Sequence, residues 1–289
     1  MDSVLVLIAA PGSGAIGPEL VEALRDLGGG APHWLAEGEA CEVEAFARIP
    51  EFLIELRKVP VDAAVVSIHN RRKRLLLADM DSTMIQQECI DELGVVAGVG
   101  DHIKAVTAKA MRGELDFEGA LRERVALLKD LPASVVEDVL QKRITYMPGG
   151  RVLVQTMRAN GAYAALVSGG FTAFTGPVAW HLGFDENRAN LLEVANGALT
   201  GRVVPPILGQ AAKRSALFEI SARLGLSPQD ALCVGDGAND LAMLSEAGMG
   251  VALHAKPNVQ ESSLIRINHA DLTALLYLQG YRKAQIATG

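Results

Sequence analysis

The pattern of apolar and polar positions changes twice along this chain of 289 residues. Residues 1–70 alternate short apolar runs, typical of buried strands, with amphipathic stretches typical of helices. After one further apolar run at residues 75–78, residues 87–146 become charged and helical in spacing, with Leu121 and Val125 on one face. Strand-like and helix-like stretches then alternate again to the end. The pattern therefore indicates three parts.

In the first part, the elements follow the order strand, helix, strand, strand, helix, strand, which is typical of a small ferredoxin-like sandwich. A G-x-G-x-x-G pattern from Gly12 to Gly17, with Glu37 twenty residues beyond, is also typical of a dinucleotide site. This part is too short for the further βα units of a dinucleotide fold, so we interpret the pattern as a loop. We predict strands at 4–10, 33–36, 41–47 and 61–68, and helices at 18–27 and 50–58.

The insertion and the last part carry most of the predicted helices and a second set of strands. Alternating strands and helices imply a doubly wound parallel sheet. We therefore expect an α/β protein with a doubly wound parallel core (71–86 and 147–289), a helical cap inserted after its first strand (87–146), and a small N-terminal α+β domain of order βαββαβ (1–70). Helices are predicted at 89–93, 101–112, 117–128, 133–144, 151–160, 171–182, 213–224, 240–247 and 271–280, and strands at 162–167, 189–194, 197–204, 231–234, 249–253 and 263–267.

Composition narrows the functional classes. Hydrophobic residues make up 49% of the chain, charged residues 21%, and the net charge of −7 gives no basic footprint for nucleic acid. No apolar run approaches the roughly 20 residues that span a bilayer, and the first residues lack the positive region of a signal peptide. Cys41, Cys89 and Cys233 form no C-x-x-C pair, which favours a reducing compartment. We expect a cytoplasmic protein, with the basic cluster 71–74 as a solvated linker.

Polar side chains follow the predicted ends of the core strands. Asp79 and Asp81 follow the run at 75–78, although a D-x-D pair alone is more often an ordinary acidic turn. Because the carboxyl ends of parallel strands lie along one edge of a sheet, the other strand ends converge with this pair. Carboxylates suit Mg²⁺, while a Ser-Gly-Gly turn that opens a helix and a lysine suit phosphate, so we predict a phosphoryl-transfer site. The further residues are Ser168, Gly169, Gly170, Lys213, Asp236, Asn239 and Asp240.

These residues resemble a known family. Residues 79–83 (Asp-Met-Asp-Ser-Thr), 167–171 (Val-Ser-Gly-Gly-Phe), Lys213 and 235–240 (Gly-Asp-Gly-Ala-Asn-Asp) look like the four motifs of the haloacid dehalogenase superfamily. An aromatic residue is commoner in the family at the position of Met80, which contributes only a backbone carbonyl.

A narrower resemblance lies in the predicted cap. Gln87 and Glu88, together with residues 111–125, are similar to the phosphoserine phosphatases of that superfamily. The likeness covers about residues 74–280. Residues 1–70 are similar only in outline to the amino-acid-binding regulatory domains of some bacterial members.

The resemblance implies a role for each candidate residue. Asp79 would be the nucleophile that forms an aspartyl-phosphate, and Asp81 the general acid and base. Mg²⁺ would be held by Asp79, Asp81 through its backbone carbonyl, and Asp236, with Asp240 orienting the ligands and Lys213. The substrate-binding residues would be Ser168, Gly169, Lys213 and Asn239 around the phosphoryl group, Glu88 and Arg124 at the ammonium and carboxylate of serine, and Met111 and Phe117 as an apolar wall.

The implied activity is Mg²⁺-dependent hydrolysis of O-phosphoserine, the last step of serine biosynthesis, with this small molecule as the partner. A homodimer and an amino-acid effector at the N-terminal domain are left open. One alternative is a phosphotransferase that passes the phosphoryl group to an alcohol such as homoserine. Another is a serine-sensing regulatory protein with a vestigial core, and the intact set of Asp79, Asp81, Ser168, Lys213 and Asp236 argues against it.

Overall fold

The N-terminal part of the computed structural model is a four-stranded antiparallel sheet covered by two helices. The structure describes residues 2–56, 58–111 and 114–288, with Met111 described by its backbone alone. The strand order β2-β3-β1-β4 is that of a ferredoxin-like sandwich, which confirms the prediction. Its elements are β1 (Ser3–Ala9), α1 (Pro18–Asp26), β2 (His33–Ala36), β3 (Ala40–Glu44), α2 (Ile49–Leu56) and β4 (Val61–Ser67).

A seven-stranded sheet forms the rest of the core, with strand order β11-β10-β9-β5-β6-β7-β8. All neighbours pair in parallel except the β7–β8 hairpin, so the predicted α/β class and parallel sheet are confirmed. The elements are β5 (Leu75–Ala78), α3 (Cys89–Val96), α4 (Gly100–Met111), α5 (Phe117–Ala126), α6 (Val135–Lys142), α7 (Gly150–Ala159), β6 (Tyr163–Phe171), α8 (Thr172–Leu182), β7 (Glu186–Ala195), β8 (Ala198–Val204), α9 (Gln210–Arg223), β9 (Ala231–Gly235), α10 (Leu241–Glu246), β10 (Met249–Leu253), α11 (Pro257–Ser262), β11 (Ile265–Ile267) and α12 (Ala274–Leu278).

Strand β5 lies at the centre of this sheet, between β9 and β6. Its side chains alternate between two apolar layers: Leu75 and Leu77 pack in one, and Leu76 and Ala78 in the other. All four are fully buried, which explains the uninterrupted apolar run in the sequence. The chain therefore leaves the sheet at the middle of its carboxyl edge, and Asp79 is the first residue there.

Helices α3 to α6, here called the cap helices, follow β5 and are tied back to the core by backbone hydrogen bonds. Leu199 of β8 accepts from the Asp130 N–H at 2.9 Å and donates to the Leu131 carbonyl at 2.8 Å. The Ala133 N–H donates to Gly197 at 2.8 Å. The β7–β8 hairpin thus holds the cap helices from one side. None of the helices in the described ranges is long and apolar enough to cross a membrane.

Strand β1 of the N-terminal sheet is buried on both faces. On β1, Leu5 and Leu7 pack against α1 and α2, whereas Val6 and Ile8 belong to the same apolar cluster as α12 of the core. Polar contacts reinforce this junction, because the buried carboxylate of Asp62 accepts from three consecutive backbone N–H groups in the loop 268–270, at 2.8–3.0 Å. The N-terminal part is therefore built into the core.

The basic cluster at 71–74 does not form the predicted solvated linker. Arg71 binds Glu42 of β3 at 2.6 Å and donates to the Leu278 carbonyl at 2.7 Å. Lys73 is 7% exposed and its Nζ donates to the Gln229 carbonyl at 2.8 Å. The prediction is wrong because these bonds join residues that are far apart in the sequence, where a local charge pattern carries no information about them.

One further segment differs from the prediction and one agrees with it. Helix α11 was not predicted; it is only six residues long and begins at Pro257. The loop with the G-x-G-x-x-G pattern is mostly exposed, and Gly12 and Gly14 have φ of 73° and 65°. These glycines serve a surface turn, which agrees with the interpretation as a loop.

Candidate active site

A buried lysine joins two carboxylates at the carboxyl edge of the core sheet. Asp79 is 4% exposed, and its N–H donates to the Val234 carbonyl of β9 at 3.0 Å. Helix α9 buries Lys213, whose Nζ lies 2.6 Å from Asp79 Oδ1 and 2.6 Å from Asp240 Oδ1. Strand β5, helix α9 and the loop after β9 therefore deliver their predicted residues to one point.

Burial shapes the electrostatics of this point. It raises the pKa of Asp79 well above its ordinary value, and the charge of Asp240 raises it further, although Lys213 opposes both effects. For Lys213, burial lowers the pKa, but Asp79 and Asp240 more than compensate and the pKa is raised. The Lys213 ammonium is therefore held protonated. It provides a fixed positive charge of the kind that stabilises a bound anion.

Asp236, at the end of β9, completes a cluster of three buried carboxylates. Ligand atoms of Asp79, Asp236 and Asp240 all lie within 4.8 Å of one another. Burial raises the pKa of Asp236 to about 6, although Lys256, 3.6 Å away, lowers it. Such a like-charged cluster of oxygen ligands fits a hard divalent cation.

The three carboxylates are not equivalent. Asp240 Oδ1 accepts from Lys213, and its Oδ2 accepts from the Gly237 N–H at 3.0 Å. A Cβ on Gly235 would lie 2.3 Å from Asp240 Cγ, so only a glycine at this position leaves room for the Asp240 carboxylate. Because both oxygens of Asp240 are engaged, Asp79 and Asp236 are better placed to hold a cation, and Asp240 to orient Lys213.

Asp81 and Ser168 both lie close to Gly170, because a Cβ on that glycine would lie within 3.1 Å of an oxygen of each side chain. The Asp81 carboxylate accepts from the Cys89 N–H at 3.0 Å, and a Cβ on Gly170 would lie 2.8 Å from Asp81 Oδ2. Burial raises the pKa of Asp81 to about 7, and the charge of Glu88 adds to the shift. A carboxyl group with this pKa can both give and take a proton near neutral pH.

The Ser168-Gly169-Gly170 segment is not the predicted turn that opens a helix. Strand β6 continues to Phe171, and α8 begins at Thr172. Its pairing with β7 is irregular between Val167 and Phe171, so the segment leaves the ladder, and the Gly170 N–H donates to Ser168 Oγ at 2.8 Å instead. A bulged strand rather than a helix terminus therefore presents this serine.

Comparisons with known proteins agree with this geometry. Residues 76–245 match the family model of haloacid dehalogenase-like hydrolases. A phosphoserine phosphatase of Streptomyces coelicolor is 44% identical over 234 residues, and the match spans 80% of this chain but only 57% of that protein. The chain belongs to the haloacid dehalogenase-like hydrolase family.

Two further proteins extend the likeness of this hydrolase. A phosphoserine phosphatase of a Polaromonas species is 45% identical over 210 residues, which cover 71% of the hydrolase and 89% of that protein. The crystal structure of a haloacid dehalogenase family hydrolase from Salmonella enterica serovar Typhi superposes with a TM-score of 0.85 at 30% identity, covering 96% of this chain and 97% of that one. The latter comparison includes the N-terminal sheet.

The cap helices bring a second group of predicted residues to the site. Phe117, at the start of α5, lies over the core: a Cβ on Gly169 would be 3.0 Å from its ring, and one on Gly209 would be 3.3 Å away. Glu88 immediately precedes α3 and is half-buried, as is Arg124 on α5. Gly169 and Gly209, which have no Cβ, thus make room for the Phe117 ring.

Arg124 lies close to the negatively charged residues of the site. Its Nε donates to the Ala120 carbonyl at 3.2 Å. Burial lowers the pKa of Arg124, while the charges of Asp91, Glu88 and Asp81 oppose the shift. The side chain of Met111 lies outside the described residues, and Asn239 is half-buried in the loop that precedes Asp240.

Three residues that contribute to the hydrolase site were not predicted. Asn190 of β7 is 1% exposed; its amide donates to the Gly169 carbonyl at 2.8 Å and accepts from the Leu208 N–H at 2.7 Å. Lys256 donates its N–H to the Asp236 carbonyl at 3.1 Å. Ser82 binds Glu88 at 2.9 Å. Ser82 lies inside a recognised motif, but no local pattern marks Asn190 or Lys256.

Proposed function

We propose that this chain hydrolyses O-phosphoserine to serine and phosphate. The observation that carries the proposal is Lys213, held between the buried carboxylates of Asp79 and Asp240. This is a pre-organised positive charge with an adjacent nucleophile, which is what phosphoryl transfer needs. The names of the Streptomyces and Polaromonas relatives, at 44% and 45% identity, support phosphoserine as the substrate.

In the proposed reaction, Asp79 attacks phosphorus while the bond between phosphorus and the serine oxygen breaks. Asp81 gives its proton to that oxygen as it leaves. Water then attacks the phosphorus of the aspartyl-phosphate, Asp81 takes a proton from it, and Asp79 is regenerated. Covalent catalysis divides one hard displacement into two easier ones. The pKa of about 7 at Asp81 supports its role as proton carrier.

The phosphoryl oxygens would be bound by Ser168, the backbone of Gly169, Lys213 and Asn239. Asn190 would support this role, because its side-chain amide binds the Gly169 carbonyl and the Leu208 N–H, and Leu208 lies just before α9. The charge on three equatorial oxygens is the main feature that the protein must stabilise.

Asp79, Asp236 and the backbone carbonyl of Asp81 would hold Mg²⁺, the cofactor that fits this set of oxygen donors. The carboxylates of the site outnumber its cations, since Asp79, Asp81, Glu88, Asp236 and Asp240 face Lys213, Arg124 and Lys256. When bound, Mg²⁺ supplies positive charge that balances the phosphoryl oxygens.

Substrate choice would fall to the cap helices. Phosphoserine carries an ammonium and a carboxylate, and Glu88 and Arg124 offer the opposite charges. Phe117 over Gly169 would exclude water from the reacting phosphate. With this substrate, the reaction is the last step of serine biosynthesis, which we assign to the cytoplasm.

The test is a phosphate-release assay over a small panel of phosphorylated metabolites, with and without Mg²⁺. Phosphoserine should be the best substrate, release should require Mg²⁺, and Asp79→Asn should abolish it. Retained activity in Asp79→Asn would remove the nucleophile assignment. Adding homoserine and detecting phosphohomoserine instead of free phosphate would establish phosphotransfer in place of hydrolysis.

Arg124 provides the test of substrate recognition. Arg124→Ala should raise KM for phosphoserine about tenfold or more, because a charge-assisted pair with the carboxylate is lost. For phosphoethanolamine, which has no carboxylate, KM should change by less than about twofold. Equal changes for the two esters would exclude Arg124 from recognition of the carboxylate.

A further inference from the structure

Ser82 follows Asp81 in a backbone conformation that is uncommon for a serine. Its φ of 55° lies in the left-handed region, where a residue with a Cβ is strained. The turn is closed by its own N–H, which donates to the Gln87 carbonyl at 3.2 Å. Strain of this kind persists where the surrounding structure enforces it, often at functional sites.

The strained turn aims the Ser82 hydroxyl at the cap. Ser82 Oγ donates to Glu88 Oε1 at 2.9 Å. Glu88 occupies the N-cap position of α3, but its side chain makes no capping hydrogen bond to that helix. The hydrogen bond from Ser82 therefore fixes the Glu88 carboxylate, which makes no capping hydrogen bond to α3.

The second oxygen of Glu88 remains for a ligand. Within the ranges that the structure describes, no hydrogen bond or ion pair engages Glu88 Oε2. The carboxylate also lies close to the reaction centre, since it is joined to Ser82 next to Asp81 and its charge raises the pKa of Asp81, Asp236 and Lys256. One oxygen is thus anchored and the other is available within the site.

We propose that Ser82 is a positioning residue for substrate selection: its hydroxyl anchors one oxygen of Glu88 so that the other receives the ammonium of the substrate. The inference rests on the proposed function and extends it from Glu88, which would contact the ammonium, to Ser82, which holds Glu88 in place. Because Ser82 directly follows Asp81, the same turn carries both the proton donor and the support of the ammonium site.

Two esters separate this role from a general one. Phosphoserine has the ammonium, whereas 3-(phosphonooxy)propanoate is the same molecule without its amino group. Ser82→Ala should lower kcat/KM for phosphoserine about tenfold, mostly through KM, because a charge-assisted hydrogen bond is lost. For the deaminated ester the change should stay below about twofold. Equal losses on both esters, or no loss on either, would overturn the proposal.

A second variant separates the hydroxyl from the backbone. Ser82→Gly also removes the hydroxyl but adopts a positive φ without strain, so its fold is retained. It should show the same selective loss for phosphoserine as Ser82→Ala, while urea unfolding shows no loss of stability. If Ser82→Gly kept the full preference for phosphoserine, strain rather than the hydroxyl would explain the alanine variant, and the proposal would fail.

Coupling to Glu88 gives the decisive comparison. In a Glu88→Gln background, adding Ser82→Ala should change the preference for phosphoserine by less than about twofold, because the supported group is already gone. Losses that multiply would show that the residues act independently and would refute the proposal. If the unsubstituted protein used both esters equally, the proposed substrate would itself be wrong. A native preference that survives Ser82→Ala would refute this inference alone.

Discussion

Replacing Asp236 by Asn should stabilise the metal-free protein at alkaline pH, although it should abolish activity. Asp236 is 5% exposed, and burial raises its pKa from 3.8 to about 6. A carboxyl group with a raised pKa opposes folding when it ionises, because the folded state holds the proton more tightly than the unfolded chain. The stability of the metal-free protein should therefore fall as the pH rises from about 4 to about 7.

The size of the effect follows from the shift. About two pKa units, at 1.36 kcal/mol each, give about 3 kcal/mol once the group is ionised in both states, as at pH 8. At pH 5 only about half of this cost has developed, because the folded carboxyl is still mostly protonated. Asn keeps the shape without the charge, and the lost contact with the half-exposed Lys256 at 3.6 Å is weak.

The assay is urea unfolding in EDTA at pH 5 and pH 8. Asp236→Asn should gain about 3 kcal/mol at pH 8 and roughly half of that at pH 5. Asp230→Asn is a matched control of opposite sign, since hydrogen bonds from Ser227 lower the pKa of Asp230 and their loss should destabilise. A loss of stability for Asp236→Asn at pH 8, or an equal gain at both pH values, would refute the reasoning. Because Asp236→Asn removes a proposed ligand of the cation, Mg²⁺ should also raise Tm less in this variant than in the unsubstituted protein.

Three further substitutions test the supports of the site. Lys213→Met should cost about 3–5 kcal/mol in urea unfolding, because two buried carboxylates lose their counter-charge. The cost should shrink as the pH falls, because burial raises the pKa of Asp79 and its protonation removes one of the two charges; a cost below about 1 kcal/mol would contradict this. Asp62→Ala removes the acceptor of three N–H groups and should cost roughly 2–4 kcal/mol, with kcat little changed. Gly149→Ala would place a Cβ 2.6 Å from the Thr273 nitrogen and should cost about 1–3 kcal/mol more than Gly161→Ala, where φ is also positive but the space is open; equal Tm values would exclude the clash.

Much of the architecture could be predicted from the sequence because it is locally encoded. The apolar run at 75–78 and the bounds of β2 and β10 follow directly from hydrophobic pattern. The convergence of Asp79 and Asp240 followed from a rule about parallel sheets rather than from any single motif. The parts of the site that lie at strand ends were therefore accessible without coordinates.

What could not be predicted depends on partners distant in sequence. Asn190 is an ordinary polar residue in a strand until Gly169 and Leu208 are seen on either side of its amide. Lys256 becomes notable only because the return of β10 places it beside Asp236. The strained turn at Ser82 also has no compositional signature, since serine is not a residue that predicts positive φ.

The burial of strand β1 on both faces has a practical consequence for protein engineering. A boundary near residue 70 looks natural in the sequence, but a shortened chain that began there would uncover the apolar face of α12 that Val6 and Ile8 now cover. The Arg71 side chain would also lose Glu42. A minimal catalytic fragment should therefore aggregate on expression unless that face is redesigned with polar residues, and domain shuffling at this boundary should fail for the same reason.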